Sequence, residues 1–292
     1  MNKSCLIGFL MCSAFSLVVQ AATDGAHITK TISQIERKKG IKRTIQYRPD
    51  GNDFVCVNGK NRYTRALYGG ITDFRIETSD RPVFAAYKPK DSKHICFRLQ
   101  CGNQSIALDS LKFCEARYRA GRRTYRLTDP LLGKGELNIS VLAFPDAEGG
   151  IWRFTMKDMP EGALLHCYIS EIRAKNLSRN GDMGADRADS FDAPQLPKEQ
   201  KHYKLSLDGT TAYIVVEDQE LRLPALVEGT SLYDKSEKWR SEIESSLQIS
   251  TPDPYFNPLG GALAAAADGI WDGKIWLHGA IGWRSQLNGW RA

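Results

Sequence analysis

The residues best suited to chemistry crowd into the last stretch of the sequence, 251–292. Four of the six tryptophans, Trp271, Trp276, Trp283 and Trp290, fall there among Asp268, Asp272, His278, Arg284 and Arg291. Indole rings stack on the C–H faces of sugars, while carboxylates and guanidinium groups hydrogen-bond the hydroxyls, so the expected chemistry is that of a carbohydrate-facing pocket. Asp272 is the candidate catalytic group, because Trp271 and Gly273 place it in an exposed turn beside a stacking surface. Trp271, Trp276, His278, Trp283 and Arg284 are the candidate substrate-binding residues, with Arg284 able to fork onto a carboxylate or a hydroxyl pair. Asp253 and Asp268 are the other carboxylates beside aromatic residues. Glycoside hydrolysis generally uses two carboxyl groups facing across the sugar, and sequence alone brings no two of these together. Each residue also has a structural reading: an aspartate capping a turn, a histidine or tryptophan in a core, an arginine bridging two helices.

The elements that must position this segment are mostly strands. From Arg43 to about Leu226 the chain repeats one theme, five to eight alternating or β-branched residues and then a turn. Asp53–Val57 runs into Asn58-Gly59, the strongest short hairpin signal. His94–Leu99 and Gln104–Leu108 flank Cys101-Gly102-Asn103, and Lys112–Arg119 turns at Ala120-Gly121 into Arg123–Leu127. Glu136–Ala143, Ile151–Met156, Leu164–Ile172, Tyr203–Leu207, Thr211–Val216 and Leu221–Leu226 follow. Short strands at this spacing predict an antiparallel β-sandwich over residues 43–228. Between them, Asn176–Glu199 is a long polar excursion whose four aspartates lack calcium-loop spacing, so a solvated loop is expected. The period changes at 229–250, where Leu232, Trp239, Ile243 and Leu247 fall mostly at helical spacing after a cap at Thr230 or Ser231. This predicts an amphipathic linker helix. Thr251-Pro-Asp-Pro254 breaks it, and Pro258–Ile270, rich in glycine and alanine, predicts a helix that lets a neighbour approach closely.

Composition fits an ordinary globular chain: 292 residues, 42% hydrophobic, 10% aromatic and 25% charged. The formal charge of +6 allows weak attraction to acidic polymers and demands no nucleic-acid partner. Residues 1–21 read as a secretory signal, with Lys3 before an apolar run and Val19-Gln20-Ala21 as the cleavage pattern. Export to the periplasm or the extracellular space follows, with no membrane span after cleavage; 22–42 is a polar leader. Of seven cysteines, Cys5 and Cys12 lie in the signal, and Cys56, Cys96, Cys101, Cys114 and Cys167 lack zinc-site spacing and read as buried hydrophobes. No cofactor and no metal are expected. Arg117, Arg119, Arg122, Arg123 and Arg126 surround one hairpin with Tyr118 and Tyr125. That ribbon suits an acidic polysaccharide or nucleic acid, and equally a solvated, protected edge, which is the preferred reading. Walker, dinucleotide-binding, HExxH and nucleophile-elbow motifs are absent.

Asn61-Arg-Tyr-Thr-Arg-Ala-Leu-Tyr-Gly-Gly70 resembles a family of exported glycoside-hydrolase-like proteins from polysaccharide-degrading bacteria. So do Pro252-Asp-Pro-Tyr255, Ala265–Asp272, His278-Gly-Ala280 and Gly289-Trp-Arg291. The resemblance implies an N-terminal β-sandwich, a linker helix and an (α/α)6 barrel. It also implies sugar binding at the barrel mouth, with Trp271, Asp272, His278, Trp283 and Arg284 at matching positions. Residues 251–292 would then be only the start of that barrel. The expected protein is mainly β, an antiparallel β-sandwich followed by a linker helix and the first helices of an α/α barrel. Its expected role is the N-terminal portion of a glycoside hydrolase, with carbohydrate as partner and this chain alone inactive. The alternatives are a non-catalytic carbohydrate-binding or assembly module and a polysaccharide lyase.

Overall fold

A computed structural model describes residues 46–88, 92–171 and 202–277. The signal, the polar leader, the excursion Asn176–Glu199, His278, Trp283 and Arg284 lie outside the described residues. Within them the protein is mainly β, with two antiparallel sheets and few helices. The first sheet runs, in spatial order, β1 (Arg48–Asp50), β2 (Asp53–Val57), β8 (Phe113–Arg119), β9 (Arg122–Thr128), β10 (Glu136–Ala143), β11 (Gly149–Lys157), β14 (Thr211–Glu217) and β15 (Glu220–Arg222). The second runs β13 (His202–Ser206), β12 (Leu164–Glu171), β6 (Lys93–Cys101), β5 (Phe84–Tyr87), β4 (Arg75–Ser79) and β3 (Tyr63–Tyr68), with β7 (Gln104–Ala107) also paired to β6.

Alternation sets which face each strand buries. On β8, Cys114, Ala116 and Tyr118 point inward; on β9 their partners Leu127, Tyr125 and Arg123 do the same. Aromatic rings join the two sheets. Phe84 of the second sheet meets Tyr125 and Trp152 of the first edge-to-face, each with centroids 5.6 Å apart, and Phe97 meets Phe154 at 5.4 Å. Such pairs add to the burial of the rings themselves. The five cysteines Cys56, Cys96, Cys101, Cys114 and Cys167 are all free, and burial pushes the Cys96 and Cys114 thiols up to about 12. They are inert packing groups.

Two buried polar centres interrupt this core. Arg123, fully enclosed, donates from Nη2 to the Tyr47 hydroxyl (2.7 Å) and the Ser79 carbonyl (3.0 Å), and from Nε to the Tyr125 hydroxyl (3.4 Å). Arg75 pairs with Glu77 two positions along β4 and lies over the Tyr87 ring at 4.5 Å. Asn58-Gly59 does not close a hairpin, contrary to its sequence signal. Asn58, at φ +49°, keeps its backbone and side chain bonded to Cys114 of β8, and the chain then crosses to the second sheet. A Cβ on Gly59 would lie 2.5 Å from Asp80 Cγ, so the glycine serves a close approach.

Helix α1 spans Leu226–Ser245, starting earlier and ending earlier than the sequence period implied. Gly229 is no boundary. A Cβ there would fall 2.4 Å from the Tyr213 ring, so the glycine lets the helix lie directly on β14. Thr230 Oγ1 donates back to the Leu226 carbonyl, one helical turn earlier, and does not cap. The helix is also not a free linker. Tyr233, Ser236 and Arg240 are buried, and Tyr233 joins Leu142, Phe144, Ile151, Tyr213 and Val215 in a second cluster on the outer face of the first sheet. Helix α2 spans Leu259–Gly269, as its composition predicts. No described helix is long and apolar enough to cross a membrane.

Candidate functional site

The helices set the site. Arg240 holds α1 in place, donating to the Ala120 carbonyl (3.1 Å), Glu237 and Glu244 (2.7 Å each), while Glu244 also accepts from Arg119 (2.7 Å). Burial alone would raise the Glu244 pKa, and the hydrogen bonds from Arg119 and Arg240 outweigh it and hold the carboxyl low. The Thr251–Asn257 turn, closed by Thr251 N–H on Asn257 Oδ1 at 2.8 Å, returns the chain. Its Asp253 caps the Tyr255 N–H at 2.9 Å, a turn role. Gly260 then brings α2 against Leu247 and Ile249, just past α1, and Gly261 brings it against the end of α1 itself, where a Cβ would lie 2.8 Å from Glu244 Cγ.

Beyond α2, residues 270–277 form a small antiparallel loop. Leu277 N–H donates to the Ile270 carbonyl at 2.9 Å, Asp272 N–H to the Ile275 carbonyl at 3.2 Å, and Trp271 bridges Trp276. Thr72 Oγ1, between β3 and β4, ties the loop to the second sheet by donating to the Trp271 carbonyl at 2.6 Å. This geometry leaves both indoles open to water, at 37% exposure for Trp271 and 47% for Trp276, with centroids 4.6 Å apart and planes tilted by 48°.

The rings border a groove of about 470 Å³. Helix α1 contributes Trp239, Glu242 and Ile243, and its C-cap Ser246; α2 contributes Ala264, Ala267 and Asp268. The alanines keep the floor low, and the carboxylates of Asp268 and Glu242 make no hydrogen bond or ion pair among the described residues. Asp268 also borders a small cavity of about 40 Å³ beside Tyr68, Tyr118 and Arg240. Although the residue as a whole is exposed, partial burial of its carboxyl raises its pKa, the direction a general acid needs.

Asp272, the candidate catalytic group of the sequence, lies in the turn between Trp271 and Trp276 with its carboxylate bonded to that turn. Its Oδ1 accepts the Ile275 N–H (2.8 Å) and the Lys274 N–H (2.9 Å), and those two bonds lower its pKa. An exposed, stabilised carboxylate of this kind shapes the turn between the two tryptophans. Of the other sequence candidates, Trp271 and Trp276 come together. Trp239 and Glu242 were missed as site residues. Their signal was present in the helical spacing that sets Trp239, Glu242 and Ile243 on one side of α1.

The arginine ribbon divides by face. Arg123 turns into the core, while Arg117, Arg119, Arg122 and Arg126 point outward and each meets a carboxylate: Glu115, Asp50 and Asp53, Glu244, Glu237, and Glu136 respectively. Among the described residues no group of three metal-ligating side chains is found. No curated protein matches the chain. Residues 89–217, which take in β6 to β14 and stop short of both helices and the tryptophan groove, match the family model described as a domain of unknown function (DUF4450).

Proposed function

We propose that this is an exported carbohydrate-active protein in which a β-sandwich supports a saccharide-binding groove formed by Trp271, Trp276 and Trp239. The observation that carries this reading is the pair of water-exposed indoles beside an open groove whose bordering carboxylates have no hydrogen-bond or ion-pair partner among the described residues. Pyranose C–H faces stack on the rings, and Asp268 and Glu242 accept from the sugar hydroxyls. The close packing of α2 on α1 at Gly261 supports the further reading that they open an α/α barrel. The protein is then the N-terminal portion of a glycoside hydrolase. In that reaction Asp268, with its raised pKa, is the candidate acid. The non-catalytic binding-module reading has its own support, since Asp272 is committed to its turn.

The test is calorimetric titration of the full chain with a panel of neutral oligosaccharides. Trp271→Ala is expected to weaken the best binder about tenfold or more, since one lost stacking contact is worth on the order of 1.4 kcal/mol. An unchanged affinity in both Trp271→Ala and Trp276→Ala overturns the reading. Release of reducing ends by a protein in which the barrel is continued beyond this chain, lost in Asp268→Asn, separates the hydrolase from the binding module.

A further inference from the structure

Helix α1 covers only part of the outer face of the first sheet. Beside it lies a second groove, of about 370 Å³, built on β8 to β11. Strand register lays out its floor in rows. Thr124, Ser140 and Arg153 stand opposite one another on β9, β10 and β11, and Arg126, Asn138 and Thr155 form the next row. At about 4.8 Å between strands, each row spans roughly 10 Å.

Charge pairing separates the arginines. At the rim, Arg117 is held by Asp50 (2.8 Å) and Glu115 (2.9 Å), Arg122 by Glu237 (2.8 Å) and Arg126 by Glu136 (3.4 Å). Arg153 has no carboxylate and no hydrogen bond among the described residues. Its guanidinium rests on the Tyr233 ring at 3.8 Å, and its Nε is enclosed without an acceptor. Arg122 Nε is likewise enclosed and unpaired. Arg153 is thus the groove arginine whose charge no carboxylate among the described residues meets, and the groove it lines is wide enough to admit a ligand.

We infer that this groove binds an oxyanion carried on a polyhydroxylated ligand, the carboxylate or sulfate of an acidic sugar, with Arg153 taking the anion and Thr124, Asn138 and Thr155 the hydroxyls. A nucleic acid fits less well. Tyr125, the aromatic ring beside the floor, is only 1% exposed and offers no stacking surface, and the rim arginines are spent on carboxylates. The site is separate from the tryptophan groove and stands without it.

The experiment titrates the full chain with tetragalacturonate, a sulfated galactan tetrasaccharide, inorganic sulfate and a short single-stranded DNA at fixed ionic strength. One of the two acidic sugars is expected to bind more tightly than inorganic sulfate, which distinguishes the carboxylate from the sulfate source. Arg153→Gln should weaken that sugar about tenfold or more. Thr155→Glu, at an exposed strand position where folding is not at stake, should do the same by placing a carboxylate on the floor. The inference is overturned if neither acidic sugar binds, if inorganic sulfate or DNA binds as tightly, or if Thr155→Glu leaves the affinity within about twofold.

Discussion

The junction of Gly269 with Tyr68 couples the β domain to the tryptophan groove, and Gly269→Ala tests it. A Cβ at this position would lie 2.2 Å from Tyr68 Cγ, 2.4 Å from Cδ2 and 2.5 Å from Cβ. Ordinary carbon contacts sit near 3.5–4.0 Å, so the two groups must separate by about 1.3–1.8 Å. Tyr68 cannot easily yield. The next two residues, Gly69 and Gly70, leave no room for a Cβ beside the Phe144 and Pro145 carbonyls, and Gly70 N–H donates to Phe144 O at 3.1 Å. The end of α2 therefore moves, and Trp271 with it. Overpacking costs about 1–3 kcal/mol, while alanine regains up to ~1 kcal/mol of helix propensity. A net loss of about 1–2 kcal/mol lowers the Tm by roughly 2–8 °C in a protein of this size. Thermal unfolding by circular dichroism, with tryptophan emission as a second probe, reads both effects. Adding Tyr68→Ala removes the ring and should recover part of the loss, a coupling that a double-mutant cycle measures. An unchanged Tm with unchanged emission in Gly269→Ala refutes the reasoning.

Three further outcomes follow from the same geometry. Phe84→Leu keeps an apolar side chain but removes edge-to-face contacts with Phe97, Tyr125 and Trp152, so the denaturant midpoint should report a loss of about 2–4 kcal/mol. His94 is fully enclosed, and burial pulls its pKa from 6.5 down to about 4. The unfolded chain thus takes up the proton first; this contribution is complete above pH 6.5 and is lost as the pH falls to about 4, by at most ~3 kcal/mol. His94→Gln should flatten that window in stability measured against pH. Asp272→Asn keeps an acceptor for the Lys274 and Ile275 N–H groups and should bind sugar as the parent does, while Asp272→Ala should bind less well. If Asn abolishes turnover with binding intact, the turn role assigned to Asp272 is wrong.

Much of the β architecture was legible because one face of most strands is wet. β8 and β9 alternate cleanly, and the turn between them falls at Ala120-Gly121, where the sequence puts it. β3, β4 and β5 went unread. β4 and β5 are buried along their whole length, so no alternation survives, and Arg75, Glu77, Thr78 and Ser79 make β4 look like surface. A buried ion pair between neighbours on one strand has no hydrophobic signature. At the site, the tryptophan and glycine content of 268–276 did mark the loop that carries Trp271 and Trp276. Which carboxylate does what was illegible. The setting of Asp272 depends on two backbone N–H groups three residues or fewer away, and that of Asp268 on a small cavity it shares with Tyr68 and Tyr118, which sit on strands far off in sequence. Trp239 has a similar history, since helical period places it on a face but not beside the loop after α2.

The claim that matters most is that Trp239, Trp271 and Trp276 form one saccharide platform. Indole N–H resonances of the 15N-labelled full chain, followed while the best-binding neutral oligosaccharide is added, test it most directly. The account predicts that these three shift together along one saturation curve, while the enclosed Trp152 stays still. Shifts confined to residues on the sheets, with all three of those indoles unmoved at saturation, would contradict it.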